Sequence, residues 1–586
     1  MNMKQLMTKW ADNINEKNVL GEYPRPLMRR KSYVNLNGIW KYAIRETKGF
    51  PKKMDGDILV PFSPEAVLSG VNRQLKPEEY LWYKRRLPDE VKPEKGSRWI
   101  LHFGAVDQCA VVYINGKKQG KHVGGYLPFS YDITEALKEE KNLLTVKVRD
   151  YSETCYYSRG KQKLKNGGMF YTAQSGIWQT VWIEKVPECY IGHLKITPLY
   201  DQSSIMIQME EEHGIKDIDY EVTITARKMW PVKASGKTGK PCVIMIPHMR
   251  SWSPEDPFLY DLHVRMGEDS VESYFAMRKV EVKNDKEGIP RIFLNNEPYF
   301  EKGVLDQGYW PDGLYTPPCD EAMIYDIQKM KDLGFNMIRK HIKIEPQRWY
   351  YHCDRIGMLV WQDMVNGGRE YKSWYVTWLA TAMEGTHIRA KDTRLHLMGR
   401  QDPTGQKQFE SEMKETIRRL YNHPSVVTWV IFNEGWGQFK TRKMTDIALA
   451  EDHTRLIDSA SGWFDQGCGD IKSIHDYFFP LNITPEKRVT ALTEFGGYSL
   501  QIPKHSMYEK DIYGYKIFKR KKDLSRAYEK LIKKLVIPNI SRGLSATVYT
   551  QLSDIEEEVN GILSYDRKIV KIDENVVREW NEKLHF

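Results

Sequence analysis

The chain is poor in the features that mark disulfide, metal and membrane proteins. Its seven cysteines, Cys109, Cys155, Cys189, Cys242, Cys319, Cys353 and Cys468, are odd in number and scattered, and none form a C-x-x-C pair. That excludes a disulfide framework and a structural zinc site from the expected architecture. No stretch approaches about 18 uninterrupted apolar residues, so no membrane span is expected. The opening Met1-Asn-Met-Lys-Gln-Leu-Met-Thr-Lys-Trp lacks the apolar core of a signal peptide. A reducing cytoplasm is therefore the expected compartment. The chain has no Gly-x-Ser-x-Gly nucleophile elbow, no Gly-x-Gly-x-x-Gly and no phosphate loop. Zinc-finger spacing, RNA-binding aromatic motifs and basic regions joined to heptads are missing too, so the net charge of +10 does not indicate a nucleic-acid partner. The densest basic stretch, 516–534, has helical spacing and reads as a solvated helix face.

What remains is a long chain of ordinary globular composition. At 586 residues it should hold about three domains, one of them large. Its 17 Trp and 34 Tyr suit either strand-rich cores or sugar-stacking surfaces. Residues 1–186 read as short strands between turn signals, with Trp99-Ile-Leu-His-Phe and Trp178-Gln-Thr-Val-Trp-Ile as examples and Asn115-Gly116 as a hairpin turn. That density implies a β-sandwich. Residues 187–282 alternate with period two, as in Ser204-Ile-Met-Ile-Gln-Met, and match an immunoglobulin-like sandwich in size. From 283 to 586, strands alternate with helices. Strands are expected at 299–305, 336–341, 359–364, 426–434, 462–466, 473–477, 489–494 and 546–552. Helices are expected at 319–333, 347–356, 406–421 and 441–458. This pattern predicts a (β/α)8 barrel, with its active site on the rim where the strands end.

Two carboxylates stand on that predicted rim. Glu434 closes Val426-Val-Thr-Trp-Val-Ile-Phe-Asn433-Glu434, and Glu494 closes Val489-Thr-Ala-Leu-Thr-Glu494 before Phe-Gly-Gly. Cleavage of a glycosidic bond needs one protonated and one ionised carboxyl beside the anomeric carbon. Phe432 and Trp436 would wall Glu434 with apolar surface and favour its protonated form, giving it the acid/base role. Gly496-Gly497 would let a sugar ring approach Glu494, the expected nucleophile. On strands four and seven the two carboxyls would stand about 5 Å apart, the spacing of a retaining enzyme. Asn433, Asp306, Arg339, His341, Asp363, Trp436, His475, Tyr477 and Tyr549 fall at or near predicted strand ends and are candidate substrate-binding residues. An arginine near the nucleophile would keep it ionised, and a tyrosine could hydrogen-bond it. His341, His475, Asp363 and Glu434 lack the short-range spacing of a metal set, so neither metal nor cofactor is expected. The segment 366–405, rich in Trp, Tyr and Arg, is long enough to shape the leaving-group side of a pocket.

At these residues the chain resembles family 2 glycoside hydrolases, the group of β-galactosidases, β-glucuronidases and β-mannosidases. Tyr23-Pro-Arg-Pro and Val34-Asn-Leu-Asn-Gly-Ile-Trp are similar to the opening of that family's sugar-binding jelly-roll domain, and Ala173-Gln-Ser-Gly-Ile-Trp resembles its closing strand. Asn433-Glu434 is similar to the family's acid/base motif and Thr493-Glu494-Phe-Gly to its nucleophile motif. The resemblance implies a jelly roll, an immunoglobulin-like sandwich and a catalytic TIM barrel. It also implies a retaining exo-β-glycosidase working by double displacement on a glycoside or small oligosaccharide, with self-association left open. The chain departs from the family at four places. The uronate-gripping Asn-x-Lys of glucuronidases becomes Glu558-Val-Asn560, which would repel a uronate. Phe170 takes the place of a sugar-binding Asp. Tyr549 is read at the usual tryptophan after strand eight. Arg-x-Ser-His becomes Arg339-Lys-His341-Ile. A β-galactoside is the first expectation for substrate, then a β-mannoside, β-glucuronide or arabinoside. A non-catalytic glycan-binding protein is the alternative from another class.

Overall fold

The computed structural model describes residues 6–379, 390–478, 480–481, 483–484, 486–510 and 512–586. The first part of the chain folds as two antiparallel sheets packed face to face. One runs in the order Tyr33–Asn35, Val181–Pro187, Ser97–Phe103, Phe129–Asp132. The other runs Gly56–Val60, Gly38–Arg45, Tyr80–Arg86, Leu143–Arg149, Cys109–Ile114, Lys117–Val123. Alternate side chains from both sheets, among them Trp40, Tyr83, Leu101, Val112 and Ile183, fill the space between them. Asn115 and Gly116 connect the last two strands with φ of +52° and +82°, the positive pair that a two-residue hairpin turn needs. A second sandwich follows, with a three-stranded and a four-stranded sheet between Ile191 and Phe275. Its strand Tyr260–Met266 alternates strictly between buried and exposed residues, as a sheet with one wet face requires.

Eight parallel strands then form the barrel: Glu301–Asp306, Met337–Lys340, Leu359–Asp363, Val426–Val430, Leu456–Asp458, Ile471–Asp476, Val489–Gly496 and Leu544–Thr550, hereafter strands one to eight. Their order in the sheet is five, four, three, two, one, eight, seven, six. The seam between strands five and six is closed mainly by side chains. Ser473 Oγ donates to Asp458. Asp470 N donates to Ile457 O at 2.8 Å, and Ile457 N returns the bond to Asp470 Oδ2 at 2.8 Å. Strand five departs from expectation. The helix predicted at 441–458 stops at Glu451, and the Asp452 carboxylate turns the chain by accepting from Thr454 N, Thr454 Oγ1 and Trp429 Nε1. Leu456-Ile457 is thereby released as the strand, and 462–466 becomes a loop at the cleft. Among the described residues no helix separates strand five from six, or six from seven.

The barrel interior is packed by Leu305, Met337, Trp361, Val430, Val489, Ala546 and Val548. A hairpin of Val280–Asn284 and Pro290–Leu294 closes its lower end, placing Ile292 in the same cluster as Trp252. Arg291 fastens this plug. Its buried guanidinium donates to Ile540 O at 2.7 Å, to Leu544 O at 3.1 Å and to Asp285 Oδ2 at 2.9 Å. Arg291→Ala would leave two carbonyls unpaired and should destabilise the chain by about 1–3 kcal/mol. Urea unfolding would show an earlier midpoint, while activity per folded molecule stays at the wild-type value.

Candidate active site

The two glutamates converge. Glu434 lies in the turn after strand four, where its N–H donates to Ser461 O at 3.0 Å and its φ is +52°. A non-glycine residue in that region carries backbone strain, of a kind that collects at functional sites. Glu494 lies within strand seven, where the register with strand eight shifts between Leu492 and Phe495 and the carboxylate turns towards the cleft. One oxygen of each glutamate and a ring nitrogen of His475 all lie within 4.8 Å of one another.

Arg339 organises the floor. Its fully buried guanidinium donates from Nε and Nη2 to Asp363, from Nη1 to Glu494 Oε1 at 3.2 Å and Thr493 O, and from Nη2 to Asn433 Oδ1 at 2.8 Å. Tyr477 OH donates to the other oxygen of Glu494 at 2.6 Å. His341 Nδ1 meets Asp363 Oδ2 at 2.8 Å. His475 bridges the two glutamates, with Nδ1 2.9 Å from Glu434 Oε1 and Nε2 3.7 Å from Glu494 Oε1. The ring turns a different nitrogen to each, Nδ1 to Glu434 and Nε2 to Glu494.

The charges correct the expectation for Glu434. Burial pushes its carboxyl up, but the hydrogen bond from His475 and the charges of His475, Lys161 and Arg339 outweigh it and hold it below its ordinary value. Phe432 gives no wall, because it turns away to stack on Phe409 among the helices. Trp436 does line the cleft. Burial lowers the His475 imidazole, yet Glu494 and Glu434 prevail and raise it above its ordinary value. Both shifts favour the ionised form of Glu434 and the charged form of His475. His341 is held well below its ordinary value by burial, then by Lys161, and stays neutral.

Six binding candidates do not line the cleft, Asp306, Tyr549 and His341 among them. Alternation along strand one turns Leu305 inward and Val304 and Asp306 outward. Asp306 there pairs with Lys340, which also meets Glu345 at 2.8 Å. On strand eight, Tyr549 points into the helix layer against Tyr528, and Thr550 takes the rim position instead. His341 stands behind the wall on Asp363. Gly496 and Gly497 make room for rings and not for a sugar: a Cβ would lie 2.4 Å from Tyr549 at the first and 2.5 Å from Tyr515 at the second. Arg339, Asp363 and His475 support the carboxylates from below, while Asn433, Trp436 and Tyr477 reach the surface of the cleft.

That cleft, about 1190 Å³ including open solvent, has walls that local sequence reading did not supply. Lys161, Met169 and Phe170 come from the jelly roll. Their segment is clamped onto the barrel rim by Arg159 N to Gly367 O at 3.1 Å, Gly168 N to Glu557 Oε2 at 2.7 Å and Thr172 N to Glu556 Oε1 at 2.9 Å. Tyr513 and Tyr515 add another wall, and Tyr515 stacks on Tyr477 at 4.2 Å. Glu558 also lines the cleft and accepts from Tyr171 OH and from Asn560 Nδ2. From the 366–405 segment, Tyr371, Val376, Thr377 and Trp378 reach the mouth, with Trp378 72% exposed. The centre of that segment, 380–389, lies outside the described residues.

Two family models match the chain. The TIM barrel domain of glycosyl hydrolases family 2 covers residues 319–493, and the sugar-binding domain of the same family covers 71–187. A putative β-glucuronidase of Formosa agariphila is 23% identical over 436 residues, 70% of this chain and 47% of that protein. A β-galactosidase of Thermoanaerobacter pseudethanolicus is 24% identical over 510 residues, 80% of this chain and 61% of that protein. The chain thus spans less than two thirds of either relative's length. A solved β-glucuronidase from an uncultured Clostridium sp. superposes with a TM-score of 0.73 at 18% identity, covering 95% of this chain and 99% of that one. Among the described residues, no helix is long and apolar enough to cross a membrane.

Arg339→Lys keeps the charge but loses the fork that joins four partners. It should lower kcat on an aryl glycoside by about 100-fold, the scale of a misplaced reacting group. Steady-state kinetics beside a thermal melt will separate this from unfolding; a kcat near the wild-type value would show that the fork does not set the geometry.

Proposed function

The chain belongs to glycosyl hydrolases family 2, and from that premise we propose that it is a retaining exo-β-glycosidase. The single observation that carries this reading is the convergence of Glu434 and Glu494, with oxygens within 4.8 Å, on one cleft. That separation leaves no room for a water between carboxylate and anomeric carbon, so one carboxylate attacks directly. Glu494 is the nucleophile. Arg339 and Tyr477 each bond one of its oxygens, which fixes its orientation. Glu434 is the acid/base, protonating the leaving oxygen in the first step and taking a proton from water in the second. The wall that the jelly roll lays across the rim supports attack at a chain end.

A neutral β-glycoside, with β-galactoside first, is the substrate that Glu558 favours. A carboxylate lining the cleft hydrogen-bonds hydroxyls and repels a uronate. Lys161 supports a second reading, a β-glucuronide or β-galacturonide, because its positive charge reaches Glu434 and His341 from the cleft wall. A panel of nitrophenyl glycosides separates them. On the first reading the galactoside turns over and Glu558→Gln lowers its kcat/KM; on the second only uronides turn over and Lys161→Ala abolishes that. Binding without turnover of any member would favour a glycan-binding protein.

The two roles are tested by azide. Glu494→Ala should be inactive with an activated glycoside until azide restores turnover and yields the α-glycosyl azide. Glu434→Ala should yield the β-glycosyl azide. Exchanged products would exchange the roles, and no rescue of Glu494→Ala would remove the nucleophile assignment.

A further inference from the structure

Between the two glutamates stands a histidine that the double displacement does not require. His475 ends strand six, fully buried, with its ring flat against Gly462. That glycine has φ of +78°, and a Cβ there would lie 2.7 Å from Nδ1. The ring is therefore fixed. Its Nδ1 meets Glu434 Oε1 at 2.9 Å, and its Nε2 meets Ser461 Oγ at 3.0 Å with Glu494 Oε1 3.7 Å away. Ser461 Oγ donates its own hydrogen bond to Thr493 Oγ1 at 3.1 Å, and Thr493 Oγ1 donates to Ile474 O. Ser461 is thus free to accept from Nε2, and both ring nitrogens face acceptors. Two N–H donors are what the doubly protonated imidazolium presents.

We propose that His475 is a positioning residue that stores the proton Glu434 delivers to the leaving oxygen, and that it hands this proton across the Nδ1–Oε1 hydrogen bond once a glycoside fills the cleft. The inference rests on Glu434 being the acid/base. A seated glycoside displaces water from Glu434 and leaves its charge less solvated, which favours the neutral carboxyl. The Nδ1 proton moves to Glu434 and leaves a neutral imidazole. The terminal torsion of a glutamate is soft, so the protonated oxygen can swing into the cleft. The glycosidic C–O bond then breaks as the Glu494 oxygen bonds the anomeric carbon, and the leaving oxygen takes the proton. In the second step water bonds the anomeric carbon and the ester to Glu494 breaks. Glu434 takes the water's proton and returns it to Nδ1.

The groups facing His475 agree with this assignment. Glu434 and Glu494 raise the imidazole from strands four and seven, while Arg339 lowers it from strand two. Asp363 and Asp458, on strands three and five, feel its charge, as does the neutral His341. A raised histidine holds its proton to higher pH than a free imidazole and gives the basic limb of the rate profile its position. Removing it should move that limb to lower pH, because a lone carboxylic acid loses its proton earlier.

The test compares His475→Asn, His475→Gln and Glu434→Gln on two glycosides of the sugar that the panel selects. One has a dinitrophenyl leaving group, which departs without a proton; the other has an alkyl group, which cannot. For both His475 variants, kcat/KM should fall more on the alkyl glycoside than on the dinitrophenyl one, by a ratio approaching the roughly 100-fold of a lost general acid. The basic limb should shift to lower pH. Residual dinitrophenyl turnover certifies the fold. Equal losses on both substrates with an unmoved limb would overturn the proposal, provided Glu434→Gln shows the leaving-group dependence. If Glu434→Gln lacks that dependence, the acid/base reading itself fails, and this inference with it.

Discussion

One buried guanidinium governs the candidate site. Arg339 is fully buried, and a charge taken out of water is tolerated only when its donors are met by well-placed acceptors. Asp363, Glu494, Asn433 and the Thr493 carbonyl supply them, so strands two, three, four and seven are joined through a single side chain. The same bonds that satisfy the arginine set the angle of Glu494 and anchor the asparagine beside Glu434. Stability and geometry are therefore coupled at this point. The barrel cannot relax around Arg339 without also moving the carboxylates.

The cleft is a joint product of two domains. The barrel supplies the two carboxylates and the jelly roll adds Lys161, Met169 and Phe170, because the chain around 159–172 crosses the rim and is tied to the loops after strands three and eight. Glu558 joins the two directly, with one oxygen on Tyr171 of the jelly roll and the other on Asn560 of its own loop. The residues proposed to select the sugar thus lie where the domains meet, while the two glutamates stay on the barrel.

Much of this was legible in the sequence for a simple reason: strand ends recur. Apolar runs closing on Asn433-Glu434 and Thr493-Glu494 mark both the barrel strands and the carboxylates at once. Alternation also held the information that was misread. Leu305 and Thr550 face the cleft while Asp306 and Tyr549 face the helices, and stepping by two along each strand separates them. Strand five was hidden because Asp452 ends a helix whose spacing otherwise runs on. Phe170 and Glu558 came to the sugar site through the family resemblance alone, and Lys161 was missed, since the contacts that bring them to the cleft join residues hundreds of positions apart. The state of Glu434 was missed because a neighbouring histidine, and not the apolar wall, decides its charge.

The central claim is that Glu434 and Glu494 are close enough to exclude water, so that Glu494 bonds the sugar before water does. The most direct measurement is the anomeric configuration of the first product, followed by proton NMR during hydrolysis of a β-glycoside before mutarotation sets in. The account predicts that the β-anomer forms first. An initial α-anomer would mean that water attacks directly, and the account would be contradicted.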